Sequence, residues 1–145
     1  MKRKFASDPA EMGEVRAEIR RFLEGLPFDE EERYLLLLGI DEACTNIIRH
    51  AYDGRTDRWI KIELCALEEG FECRLRDYGR TTCETAFHRR PHNQDRPGGL
   101  GLHLMQRAFH EVRYVPCKRG TQLILVRRFG PTPVLEDSAL RGRAR

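Results

Sequence analysis

The apolar residues of this chain keep two different periods, and the order in which those periods occur restricts the fold more than any other feature. Met12, Val15, Ile19, Phe22, Leu23 and Leu26 follow helical spacing. Before them stands a start signal, Asp8-Pro9-Ala10-Glu11: a capping residue, proline at the first helical position and an acid three residues after the cap. Gly25 and Pro27 close this helix. Phe28-Asp29 with Glu30, Glu31 and Glu32 opens a second helix, expected to run to about Ala51, with its acids where the helix dipole favours them. After Asp53-Gly54 the period drops to two. Ile60, Ile62, Leu64 and Ala66 alternate with Lys61 and Glu63, and then Phe71, Cys73 and Leu75 alternate with Glu72, Arg74 and Arg76, with Glu69-Gly70 as the hairpin turn.

Residues 80–97 are polar, contain two prolines and show little periodicity; a loop of that length in a compact domain reads as a lid. Gly98, Gly99 and Gly101 then open a third helix with Leu102, Met105, Phe109 and Val112 as its buried stripe. A hairpin follows, from Val112–Val115 to "TQLILVRRF", turned at Lys118-Arg119-Gly120. The order helix, helix, strand, strand, loop, helix, strand, strand predicts an α+β fold with helices on one face of a largely antiparallel sheet, to which Arg3–Ala6 adds a short strand. One domain is expected over residues 1–130, with 131–145 a disordered tail.

Several classes are excluded. At 145 residues the chain can bury roughly two-thirds of its unfolded surface, so neither disulfides nor a structural metal are needed. No apolar run approaches the ~20 residues of a membrane span, and a soluble cytosolic protein is expected. Cys44, Cys65, Cys73, Cys83 and Cys117 contain no C-x-x-C pair and read as free, mostly buried thiols; a zinc site would need His92 or His103 brought in by chance. The net charge of +3 is carried by Lys2, Arg3, Lys4 and the terminal arginines, so the middle of the chain is about −1 and nucleic acid is not an expected partner.

Within "GIDEACTNIIRHAYDG", Glu42, Asn46 and His50 recur every four residues, a spacing that turns about 40° per step and makes one slowly winding polar row on a helix. Such a row is either the wet face of an amphipathic helix or a site. As a site, Asn46 offers an amide oxygen to Mg²⁺, which needs few protein ligands, Glu42 suits a general base, and Arg49 reaches for a phosphate. Core-facing position and phosphate neighbour remain equal alternatives for His50. Continuing the strand alternation turns Asp77 inward. With Gly79 leaving room beside it, that carboxylate suits the exocyclic amine of adenine. Thr121 shares the inward parity of Leu123 and Leu125, although a β-branched residue is also an ordinary strand choice. Gly98-Gly99-Leu100-Gly101 at a helix start suits phosphate, or is only a glycine-rich hinge.

Taken in order, "DEACTNIIRHAY", "LRDYGR", "PGGLGLHLM" and "GTQLILVRRF" resemble the N box and the three glycine boxes of the GHKL (Bergerat-fold) ATPase superfamily. The wording "NIIRHAY" is similar to that of the anti-sigma-factor serine/threonine kinases. The resemblance covers about residues 5–130. It implies a two-layer α/β sandwich whose mostly antiparallel mixed sheet is covered on one face by three helices. It also implies ATP and Mg²⁺ as cofactors, and transfer of phosphate to a serine or threonine of a STAS-type antagonist protein, alternating with sequestration of a sigma factor. Carried over by position, it makes Glu42 the catalytic base, Asn46 the Mg²⁺ ligand, Asp77 the adenine reader and Gly98, Gly99 and Gly101 the phosphate loop, with Thr121 supporting adenine through water. Thr81 stands where the usual pattern of the first glycine box has its second glycine, which bears on lid geometry. A non-catalytic ATP-dependent binding switch is the alternative reading, and self-association as a homodimer stays open.

Overall fold

The computed structural model describes residues 1–79 and 99–133, with the side chains of 99–102 outside the description. Its elements are β1 (Lys2–Ala6), a 3-10 turn (Pro9–Glu11), α1 (Met12–Glu24), α2 (Glu30–Asn46), a π-turn (Ile47–Ala51), β2 (Trp59–Leu67), β3 (Gly70–Arg76), α3 (Gly99–Ala108), β4 (Glu111–Pro116) and β5 (Thr121–Arg128). The start signals act as the sequence implies. Asp8 accepts a bond from the Ala10 N–H at 2.9 Å, and the α-helix proper begins one turn later, at Met12. Asp29 and Glu32 form a reciprocal capping box, each carboxylate accepting the other residue's backbone N–H, at 2.8 and 3.0 Å.

The strands lie in the order β1-β2-β3-β5-β4, and every pairing is antiparallel, so the mixed character expected of the sheet is absent among the described strands. The last hairpin docks with β5 inside and β4 at the edge. Leu123 and Leu125 of β5 can be buried between two neighbours, whereas β4, with Arg113 and Pro116, tolerates an edge. The β2–β3 turn is Glu68-Glu69 rather than Glu69-Gly70. Gly70 is already paired with Leu67, and a Cβ there would lie 1.9 Å from the Arg127 carbonyl, so this glycine admits β5 rather than shaping the turn. Ala66, expected inward, is exposed at the strand's end. Val112 also departs from expectation: α3 stops at Ala108, and Val112 pairs with Leu125 in β4. The chain leaves the helix because the His110 N–H bonds the Val126 carbonyl at 2.8 Å and starts the ladder.

One face of the sheet presents Phe5, Ile60, Ile62, Leu64, Phe71, Cys73, Leu75, Leu123 and Leu125 to the helices, which return Val15, Ile19, Leu23, Leu36, Ile40 and Met105. Phe71 is the hub. Phe22 of α1, Phe28 before α2 and Phe109 after α3 meet its ring edge-on, with centroids 5.8, 5.9 and 6.1 Å away. Gly39 lets α3 close on α2, since a Cβ there would stand 2.9 Å from the Phe109 ring. At the sheet's edge Arg3 reaches Glu14, at 2.8 Å, and Glu18 of α1. The four described cysteines are free, and Cys44 and Cys73 are buried. No described helix is long and apolar enough to cross a membrane.

Because three separate elements converge on Phe71, truncating it cannot be healed by one side chain moving in. Phe71→Ala is expected to cost about 3–5 kcal/mol, read as a lower urea midpoint at unchanged slope. A loss below ~1 kcal/mol would show that the cluster collapses freely into the space.

Candidate functional site

Where the C-terminal part of α2 overlies the ends of β3 and β5, the layers do not close. A small, partly open cavity remains, lined by Ala43, Asn46, Ile47, His50, Ala51, Asp77, Tyr114, Thr121 and Leu123. Local geometry fixes its polar members. Asp77 follows β3, its N–H bonded to the Thr121 carbonyl at 3.0 Å, and its Oδ1 accepts the Gly79 N–H at 3.0 Å. Two glycines permit this. A Cβ on Gly79 would meet the Ala51 carbonyl oxygen at 2.2 Å, and one on Gly120 would meet the Asp77 carbonyl oxygen at 2.2 Å. Arg76 secures the same corner from outside, donating to the carbonyls of Asp77 and Arg119, the latter at 2.6 Å.

Asp77 is 4% exposed and Thr121 3%. Burial pushes the Asp77 carboxyl above its ordinary value, while the Gly79 N–H and the Arg76 charge hold it partly down. The Thr121 hydroxyl is buried without a hydrogen-bond partner among the described residues. A buried acceptor beside an unused hydroxyl is a costly arrangement for an empty core, and it fits a ligand that offers donors.

The structure brings Asn46, Asp77 and Thr121 together with His50 on this one cavity. His50 is exposed and lines the cavity from the π-turn, so of the two alternatives the core-facing one is not realised. The reason is local: the α-helix ends at Asn46 instead of running on to Ala51, and the wider i→i+5 turn alters the direction of the residues after it. Glu42 is half-buried one turn before Asn46, outside the lining, and Arg49 is exposed and likewise outside it. Gly99 and Gly101 form the first turn of α3. Gly98 and the expected lid, 80–97, lie outside the described residues, as do Thr81 and most of the expected tail. Sequence reasoning missed Tyr114, whose phenol burial pushes up to about 12; only the register Tyr114↔Leu123 reveals it. No group of three or more metal-ligating side chains occurs among the described residues, and Mg²⁺ held largely by water and phosphate oxygens needs none.

A family model for the histidine kinase-like ATPase domain matches residues 5–127. The chain belongs to the histidine kinase-like ATPase family. Membership agrees with the GHKL resemblance and implies ATP as the ligand. Among individual proteins, this histidine kinase-like ATPase is similar to the serine-protein kinase RsbW of Bacillus pumilus (strain SAFR-032), at 25% identity over 95% of this chain and 91% of that protein. It is also similar to RsbW of Bacillus subtilis (strain 168), at 26% over 76% of this chain and 74% of that protein. A crystal structure of the RsbU and RsbW domains of a Mycobacterium tuberculosis protein shares the fold, with a TM-score of 0.62 at 17% identity. The likeness covers 93% of this chain and 34% of that longer one.

The burial of Asp77 has a measurable consequence. A raised carboxyl value means that the folded state holds the proton more tightly than the unfolded chain does. The associated stability is therefore present at low pH and lost as pH rises through the folded-state value. Asp77→Asn keeps an acceptor for the Gly79 N–H without the charge. It is expected to raise the melting temperature of the nucleotide-free protein at pH 7 and to gain nothing below the ordinary carboxylate range. Melting curves of both proteins at the two pH values check this, and equal curves at pH 7 would contradict a burial cost at Asp77.

Proposed function

We propose that this chain is an ATP-dependent serine/threonine protein kinase of the anti-sigma-factor type. It phosphorylates a STAS-type antagonist protein and alternates between that substrate and a sigma factor in the cytoplasm. The observation that carries the reading is the meeting of Asn46, Asp77 and the unpartnered Thr121 hydroxyl on one cavity in an ATPase domain. The direction of the chemistry, towards a protein hydroxyl, draws on relatives named serine-protein kinases.

Bound Mg²⁺-ATP supplies a transferable γ-phosphoryl group with its charge partly neutralised. The chain's residues do the rest. The Asp77 carboxylate accepts from the exocyclic amine of adenine and fixes the base, with the Thr121 hydroxyl as a second polar contact through water. The Asn46 amide oxygen serves as the protein's ligand to Mg²⁺. Backbone N–H groups of Gly99 and Gly101 at the start of α3 would hold phosphate oxygens, with Arg49 as a countercharge; Gly98, expected to join them, lies outside the described residues. Glu42, one turn before Asn46, takes the proton from the incoming serine or threonine hydroxyl.

Two variants separate transfer from binding. Glu42→Gln keeps the size of the side chain but cannot take a proton, so Mg²⁺-ATP affinity is expected to persist while phosphate transfer to a purified STAS protein falls ~10²- to 10⁴-fold. Asn46→Ala is expected to lose both, read by titration calorimetry with and without Mg²⁺. Transfer by Glu42→Gln at the wild-type rate would remove Glu42 from the chemistry. Wild-type protein that binds Mg²⁺-ATP yet phosphorylates no STAS protein would favour the non-catalytic, ATP-dependent binding switch.

A further inference from the structure

Tyr52 closes the segment that begins at Asn46, yet none of the roles above uses it. Its ring is buried, 5% exposed, and its hydroxyl lies between two backbone groups, donating to the Trp59 carbonyl at 2.5 Å and accepting the Tyr78 N–H at 2.8 Å. Tyr78 is the middle residue of the turn in which the Gly79 N–H bonds the Asp77 carboxylate. The phenol therefore grips the peptide that aims Asp77. The other end of the same residue holds the helix: the Tyr52 N–H donates to the Ile47 carbonyl at 3.1 Å, the i→i+5 bond that closes the π-turn directly after Asn46. Its ring is also the surface against which Gly79 packs, because a Cβ at Gly79 would come within 3.0 Å of it. Burial raises the phenol's pKa, so the hydroxyl keeps the proton that it donates to Trp59 throughout the neutral range.

One side chain thus ties the turn that carries Asp77 to the turn that follows Asn46. We propose that Tyr52 is a positioning residue that holds Asp77 in register with the Asn46 end of α2, so that its hydroxyl sets nucleotide affinity and adenine selectivity. This rests on the nucleotide-site reading above. The physical reason is that a carboxylate recognises an amine only at hydrogen-bond distance and direction. Once the Tyr78 peptide is released, the far side of the Asp77 turn loses its restraint while Arg76 and Thr121 still hold the near side, and a displacement of a fraction of an ångström weakens that recognition.

The competing explanation is that Tyr52 merely braces the 53–58 connection. Ser7 provides the control for that role. It is fully buried, and its Oγ likewise bridges two backbone groups of the same connection, donating to the Arg55 carbonyl at 2.6 Å and accepting the Arg58 N–H at 3.2 Å, without touching the Asp77 turn. Wild type, Tyr52→Phe and Ser7→Ala would each be titrated calorimetrically with Mg²⁺-ATP and Mg²⁺-ITP, well below their melting temperatures. ITP carries a carbonyl where adenine has its amine, so the ATP/ITP affinity ratio reads the Asp77 contact. Tyr52→Phe keeps the ring and is expected to bind ATP roughly tenfold more weakly, the worth of one hydrogen bond, with the ATP/ITP ratio falling towards one. Ser7→Ala is expected to melt earlier but to keep both affinities. A Tyr52→Phe protein with the wild-type ATP affinity and ratio, altered only in melting as Ser7→Ala is, overturns the proposal. Wild-type protein that binds ATP and ITP alike overturns the adenine role of Asp77 itself, and the Tyr52 proposal with it.

Discussion

A five-stranded antiparallel sheet with one apolar face must cover that face, and three helices do so around Phe71. The contacts at its ring tie α1, the entry to α2 and the exit from α3 to the centre of the sheet. Burial of this kind is non-directional, so it fixes which face is covered without fixing how far the cover extends. The shortfall lies at the C-terminal end of α2, where Ala43, Asn46, Ile47 and Ala51 stand over the ends of β3 and β5 with space between.

The two ends of β5 set buried polar groups in different surroundings, a packed helix start at one and a cavity at the other. Near its C-terminal end Arg127, 1% exposed, donates to Glu32 at 2.8 Å and lies with its guanidinium carbon 5.6 Å from the centre of the Phe28 ring. The same Glu32 closes the capping box of α2, so that charge is held by opposite charge and helps to seat a helix. At the other end Asp77 receives backbone N–H groups but stays desolvated, and the Thr121 hydroxyl has no described partner. Both ends carry a cost of burial. At Arg127 the fold offsets it in part, pairing Nη2 with Glu32 while Nε and Nη1 have no described partner, whereas Asp77 and the Thr121 hydroxyl line a cavity into which a ligand can bring one.

Much of this was legible in the sequence. The caps at Asp8 and Asp29, the inward rows of β2 and β3 and the inward parity of Asp77 and Thr121 all follow from residue type and spacing. What escaped was set by contacts between distant segments. Gly70 reads as a turn glycine until β5 is seen against it, Tyr114 has no signal until its strand is paired with Leu123, and Tyr52 looks like one more apolar residue at a helix end. The row Glu42, Asn46, His50 presupposes a continuous α-helix, and the π-turn after Asn46 shifts its last member.

By itself, then, the sequence determined where the chain is helical, where it is extended and which side chains share a face. Those properties are periodic and local: 3.6 residues per turn or two per repeat, with capping bonds that span three residues. The tertiary structure alone decided that β5 lies between β3 and β4, which sets Thr121 beside Asp77. It also decided that α2 ends in an i→i+5 turn, and that the Tyr52 phenol reaches the Tyr78 peptide. Each of these joins groups far apart along the chain. Their pairing depends on which distant surfaces fill the same space, a quantity that no local period encodes.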